Sequence, residues 1–307
     1  MFGTNPQWAS LVQAFLSALV PVLTARLSAQ LFPDVWPGFA GFIAAVHYEL
    51  VLWTSGQLLT EPLYTVLMAA SLWALGAALG RDPQRPSAFA LTGALFGLAA
   101  LVRPLALAVA LTLAGAGAIV AIAQRRRRDA LMALVLPAAC LATVLPWATR
   151  NHFALGTFTL ASTEAGHVFW LGNNPGYDRR ESADFVKWAG YTPMFPPLPD
   201  AIGKPEADVD RIFRAAALQH IVAHPGLWLK RAGDKLWNMW RPTLSGSSRR
   251  HTIVAWTFYV PLLALSVAGL ALSWPARTRA WPLWVFLATH LALHGAITGA
   301  IRFRVPL

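Results

Sequence analysis

Charge is scarce in this chain. Only 13% of its 307 residues are Asp, Glu, Lys or Arg, about half the share found in a soluble domain, which is roughly 25%. Hydrophobic side chains make up 56%, and mean hydropathy is +0.48. That shortage excludes a disordered chain, a coiled coil and an ordinary cytosolic enzyme. Cysteine is almost absent too. Cys140 stands alone in an apolar run, which excludes an internal disulfide and a cysteine-based metal site and reads as a packed thiol. The 22 Pro and 22 Gly follow no period, so collagen-like and low-complexity readings fail. There is no internal repeat, serine-hydrolase elbow, P-loop or dinucleotide fingerprint. What is left is a membrane protein.

The net charge is +11, from 25 Lys and Arg against 14 Asp and Glu. No nucleic-acid partner is expected, because these residues do not gather on one soluble module. They sit in short clusters between apolar runs and in one long loop, which suits membrane lipid, topology signals and an anionic substrate. A spanning helix needs about 20 apolar residues. Eight stretches are read as spans: 8–32, 36–53, 62–80, 87–102, 104–123, 130–148, 252–273 and 280–300. Arg26 interrupts the first, His47 and Glu49 the second, and the last carries His290 and His294. Trp8, Trp36, Trp53, Trp147, Trp256, Trp274 and Trp281 fall at or near span ends, as an aromatic belt requires.

Arginines in the short connections orient the chain. Arg81 and Arg85, the run from Arg125 through Arg128, and Arg277 and Arg279 occupy three loops that alternation puts on one side. The positive-inside rule makes that side cytoplasmic. The long segment 150–251, the loop 54–61 and the tail 302–307 then face outward. The expected fold is an all-α integral membrane protein: residues 1–149 hold spans one to six, 150–251 an extracytoplasmic loop domain, and 252–307 the last two spans and a closing outer motif. Multi-pass placement in the cell membrane follows. No basic n-region precedes the first span, and 302–307 reads like the start of another, so a fragment of a longer protein is expected.

The loop has helical pattern. Residues 206–223 put Val209, Ile212, Phe213, Ala216 and Ala217 on one face, with Pro205 at the start and Glu206, Asp208 and Asp210 at the positive dipole end. Residues 227–240 form a second amphipathic helix, with Leu229, Leu236, Trp237 and Trp240 against Lys230, Arg231, Asp234 and Lys235. It either lies on a membrane surface or packs against the rest of the loop.

Glu61 opens an uncharged span at the outer face. A carboxylate there is stabilised by the helix dipole, or serves as a general base or positioning group. Arg103 interrupts the apolar run at an outer junction, where it can bind a phosphate bidentately or snorkel to headgroups. Arg150, Arg302 and Arg304 share that outer level, and together the four form a candidate phosphate cradle. His220 and His224 have workable ligand spacing but lack the intervening carboxylate of a zinc-protease signature. Gly172-Asn173-Asn174-Pro175 has the composition of a tight turn.

The run Leu145-Pro146-Trp147-Ala148-Thr149-Arg150-Asn151, followed by the segment 155–166 and by Trp170-Leu171-Gly172-Asn173-Asn174-Pro175, carries a resemblance. It resembles the first outer strand-and-turn region of bacterial membrane glycosyltransferases of the GT-C superfamily, related to the dolichyl-phosphate-mannose protein mannosyltransferases. Leu59-Thr60-Glu61-Pro62-Leu63 is similar to the family's acidic helix start. The segment 97–104 is similar to its basic hinge, while Phe213-Arg214, His224-Pro225 and Lys235 match its loop helices. Arg302-Phe303-Arg304-Val305-Pro306-Leu307 is similar to its closing outer motif. The resemblance implies inverting transfer of a sugar from a polyprenyl-phosphate donor to a protein, lipid or glycan acceptor at the outer face. It implies Glu61 as the second carboxylate of the catalytic site and Arg103, Arg150, Asn151, Asn173, Asn174, Arg302 and Arg304 as substrate-binding residues. No cofactor is expected, and a divalent metal stays open. The family's essential Asp in a first outer loop has no counterpart, since Asp34 falls in a cytoplasmic connection. A transporter or flippase, and a non-catalytic scaffold, remain the alternatives.

Overall fold

Prolines and apolar runs mark out the helices. A computed structural model describes residues 6–47, 50–51, 59–160, 162–177, 198–243, 248–299, 301–304 and 306–307. Helices α1 (Pro6–Ser17), α2 (Leu19–Leu31) and α3 (Pro37–Ala45) come first, followed by α4 (Thr60–Leu79), α5 (Pro86–Val102), α6 (Leu105–Ala123) and α7 (Arg127–Leu155). Then come α8 (Ala165–Leu171), α9 (Glu206–Ala223), α10 (Pro225–Trp240), α11 (Arg249–Leu272) and α12 (Arg277–Ala296). Among the described residues there is no strand. Pro37, Pro86 and Pro225 each open a helix, where a missing N–H breaks no intrahelical bond.

Five helical stretches are long and apolar enough to cross a membrane: Gln7–Leu31, Thr60–Leu79, Leu105–Ala123, Arg127–Leu155 and Thr252–Leu272. The chain is accordingly an all-helical, multi-pass membrane protein by length and composition. Three of the eight expected spans do not qualify among the described residues. The stretch 36–53 contributes the nine-residue α3, which ends at Ala45, and helical backbone at Leu50 and Val51; Glu49 and Trp53 lie outside the described residues. Helix α5 has 17 residues. Helix α12 has 20, but Arg277, Arg279, His290 and His294 lower its hydropathy.

The chain divides into two compact units. The first comprises residues 1–146, 261–289 and 305–307. Its core is built from Tyr64, Met68, Leu72 and Leu75 of α4, Phe89 and Phe96 of α5, Val109 and Leu113 of α6, and Leu136 and Val144 of α7. Large apolar side chains also face outward, among them Leu91, Leu111, Ile119, Ile122, Leu134 and Leu265. Such a surface is costly in water and natural in lipid. Where lipid is the solvent, helices associate through close packing and polar contacts. Gly93 and Gly97 supply the first: a Cβ at Gly93 would strike the Leu136 carbonyl, and one at Gly97 would come within 2.8 Å of the Cys140 carbonyl. The Thr112 and Thr289 hydroxyls, 2.9 Å apart, supply the second.

The second unit comprises residues 147–260 and 290–304. Its opening run departs from the expected strand-and-turn. Helix α7 continues to Leu155, because Gly156 adopts φ 68° and donates its N–H to the His152 carbonyl at 3.0 Å, an αL helix end. Helix α8 begins at Ala165. Helix α8 docks on α9 through Asp210, whose buried carboxylate accepts the Gly166 N–H and the Arg214 guanidinium. The unit extends beyond the loop 150–251 to residues 290–304: Lys235 within α10 donates to the Ala296 carbonyl at the end of α12, and Arg304 donates to the Met239 and Arg241 carbonyls at the end of α10.

Candidate functional site

Antiparallel packing of α4 and α5 brings the start of one beside the end of the other. Glu61 occupies the first turn of α4, and Arg103 is the residue that ends α5. Each charge therefore complements its own helix dipole, negative at an N-terminus and positive at a C-terminus. They also meet. Arg103 Nη2 lies 2.6 Å from Glu61 Oε1. Arg103 Nε and Nη2 donate to Thr60 Oγ1 at 3.1 and 3.0 Å, and the guanidinium lies 5.9 Å from the Tyr64 ring centroid. The Glu61 side chain is 1% exposed and the Arg103 side chain 20%. A ligand approaching this corner meets the guanidinium first, with the carboxylate behind it. Two candidates read separately from the sequence thus form one group, and Thr60 and Tyr64 complete it. The adjacency of Thr60 to Glu61 was the available signal for the first. Tyr64 sits one helical turn on from Thr60.

The second unit holds the other candidates. Asn173 and Asn174 are each 1% exposed, and their amides turn inward. Asn173 Nδ2 donates to the Phe169 carbonyl at 2.9 Å and the Ala296 carbonyl at 3.0 Å. Asn174 Nδ2 donates to the Trp170 and Leu171 carbonyls at 3.0 and 3.1 Å. These side chains cap carbonyls at the end of α8, the tight-turn role their composition favours. Asn151 is buried and donates to the Thr159 carbonyl at 3.1 Å. Arg150 is exposed, donates to Asn151 Oδ1 at 3.1 Å and lies 5.1 Å from the Trp147 ring centroid. Arg304 is buried, and its Nη1 donates to the Met239 and Arg241 carbonyls at 3.1 and 2.6 Å. Arg302 belongs to the short 3-10 helix Ile301–Arg304, and its side chain lies outside what is described.

Two cations on α10 complete this assembly, and sequence reasoning assigned neither to the site. Lys235 is fully buried; its Nζ donates to Asn173 Oδ1 at 2.8 Å and to the Ala296 carbonyl at 3.1 Å. The ammonium thus sits at the negative end of α12, whose last carbonyls stand in for a counter-ion. Burial, with the Arg231 charge adding to it, pushes the Lys235 pKa down to about 7. Arg231 donates to the Asn174 carbonyl at 2.8 Å and the Pro175 carbonyl at 3.3 Å. Its Nη1 also lies 3.1 Å from His220 Nε2. An arginine can only donate, so His220 accepts there and carries its proton on Nδ1. Burial first, then Arg231 and His224, hold the His220 pKa below its ordinary value. That lone pair is committed to Arg231, and among the described residues no three His, Cys, Asp or Glu side chains group as metal ligands. The spacing of Arg231 and Lys235, one helical turn apart, was the visible signal for the pair. The burial of Lys235 was not.

Compared with protein-family models, with curated proteins and with solved structures, the chain has no match.

Proposed function

We propose that this chain is a GT-C type membrane glycosyltransferase, moving a sugar from a polyprenyl-phosphate-linked donor to an acceptor at the outer face of the cell membrane. Three things support the reading: the ordered motif resemblance, the multi-pass helical architecture, and above all the Glu61–Arg103 contact at a helix junction. Arg103 presents a partly exposed guanidinium, the group suited to a phosphate. A donor phosphate competes with Glu61 for that guanidinium and frees the carboxylate. Glu61 then takes the proton of an acceptor hydroxyl as its oxygen bonds to the anomeric carbon. The bond from that carbon to the phosphate oxygen breaks, and the electron pair leaves on the polyprenyl phosphate, neutralised by Arg103. In this reading Arg150 is the exposed cation of the second unit, and Arg302 belongs to the same closing motif as Arg304. Asn151, Asn173, Asn174 and Arg304 hold the framework. The full set of eight spans, with the loop domain outside, belongs to this reading.

The test is donor binding by the chain in lipid nanodiscs. A charge-assisted hydrogen bond contributes about 1.5–3 kcal/mol, so Arg103→Ala is expected to weaken polyprenyl-phosphate binding roughly tenfold to a hundredfold. Arg103→Lys is expected to recover only part, since lysine lacks the guanidinium fork. In a protein that also carries the family's first outer loop with its Asp, Glu61→Gln is expected to lower sugar transfer with donor binding unchanged. Full binding by Arg103→Ala refutes the site, and a wild-type chain that binds no polyprenyl phosphate refutes the function.

A further inference from the structure

Helix α10 turns Leu229 and Trp237 outward and Lys235 and Asn238 inward. Leu229 is 69% exposed and Trp237 57%, whereas Lys235, Asn238 and Met239 are buried. Leu229, Gly233 and Trp237 follow at four-residue steps, with Gly226 and Lys230 beside them, so they form one stripe along the helix. A Cβ added at Gly226 or Gly233 would find no neighbour within 4 Å. In water this arrangement has the wrong sign, exposing Leu and Trp while burying an ammonium. It has the right sign if the medium over the stripe is lipid.

The depth of the helix points the same way. Tyr259 Oη donates to the Trp240 carbonyl at 3.0 Å. Tyr259 lies about two turns, roughly 10 Å, inside the membrane-crossing stretch Thr252–Leu272. Arg304 holds the same end of α10 through the Met239 and Arg241 carbonyls, with its guanidinium 3.5 Å from the Tyr259 ring centroid. An interfacial helix sinks its apolar face about 5–10 Å into the headgroup and acyl boundary, the level at which this tie holds α10. Lys230 at the edge of the stripe reaches anionic headgroups as a snorkelling cation does. The net charge of +11 favours an anionic lipid surface over a second copy of the chain as the occupant.

We propose that α10 is an interfacial helix. Its Leu229–Trp237 stripe lies in the surface of the bilayer that the chain spans, with Lys230 at the anionic headgroups. The inner edge of the same helix grips the turn 172–177 through Arg231 and Lys235, so the bilayer surface sets the level of that turn.

Depth-dependent quenching tests this on the full chain in vesicles of phosphatidylcholine and phosphatidylglycerol. Leu229→Cys, Gly233→Cys and Arg211→Cys, each in a Cys140→Ala background, carry a nitrobenzoxadiazole probe. Arg211 on α9, with its side chain 78% exposed, is the aqueous reference. Lipid bearing a doxyl group high on the acyl chain is expected to quench the probes at 229 and 233 about threefold more than the one at 211. Aqueous iodide is expected to show the reverse order. The open space at Gly233 keeps that variant folded even if Leu229→Cys is not. Iodide reaching 229 and 233 as freely as 211 overturns the proposal, and so does failure of both quenchers to reach them, which means that protein covers the stripe.

Discussion

Removing the Arg103 guanidinium leaves the Glu61 carboxylate, 1% exposed, without its cation. Stripping one partner from a buried ion pair costs about 3–5 kcal/mol. Two features of this corner reduce that figure. Arg103 is 20% exposed, so water can follow the vacated side chain, and Glu61 keeps the positive end of the α4 dipole, a contribution of about 0.3–1 kcal/mol. Arg103→Met is therefore expected to destabilise the protein by about 2–3 kcal/mol. Glu61→Gln keeps an acceptor for the guanidinium and loses only the charge, so about 1–2 kcal/mol is expected. In the double variant neither orphaned charge remains, and its cost is expected to fall short of the sum by about 1–2 kcal/mol. Unfolding of the four proteins in mixed micelles, followed by tryptophan fluorescence against dodecyl sulfate fraction, measures all three quantities. Additivity to within about 0.3–0.5 kcal/mol refutes the reasoning, because residues that do not interact behave that way. The cycle reads the contact alone, independently of the proposed function.

Lys235 makes stability depend on pH. Its pKa is pushed down to about 7 in the folded protein, while the unfolded chain keeps a value near 10.4. Between those two values the unfolded state binds more protons, so folding stability rises with pH. The penalty is fully present below pH 7 and gone above about 10.5, and the rise from pH 7 to 9 is on the order of 2 kcal/mol. In Lys235→Met that part of the rise is expected to vanish in the same micelle assay run across pH; an unchanged profile contradicts the assignment. On α5, Gly97→Leu is expected to cost about 1–3 kcal/mol or more, because its side chain must displace the Thr143 side chain and the Cys140 carbonyl. Leucine at the neighbouring exposed Leu98 is already accommodated, so Leu98→Ala serves as the near-neutral control.

Periodicity made much of the helical framework legible. The stretch 206–223 became α9 with its expected bounds, and 227–240 became α10 with one further half-turn from Pro225. The segment 149–155 is helical where the resemblance implies strand and turn, because such a resemblance says nothing about where α7 stops. Gly156 stops it, and a positive φ there is a local matter that hydropathy does not carry. The seam of Gly93 and Gly97 was written in the sequence as two small residues four apart, but only the opposed Leu136 and Cys140 carbonyls give that spacing meaning.

By itself the sequence determined the solvent. Scarce charge and long apolar runs cannot fold in water without exposing hydrocarbon, and that holds however the helices are arranged. It also placed Glu61 at a helix start and Arg103 at a helix end, since capping and dipole preferences are local. Tertiary structure decided which charges meet. The salt bridge from Glu61 to Arg103 and the burial of Lys235 against Asn173 and the Ala296 carbonyl join residues dozens of positions apart. It also decided the sense of α10, whose amphipathic pattern fits either medium until the packing of Lys235, Asn238 and Met239 shows which face is inside. A pattern of period 3.6 defines two faces of a helix. Only the neighbours tell which one is turned to lipid.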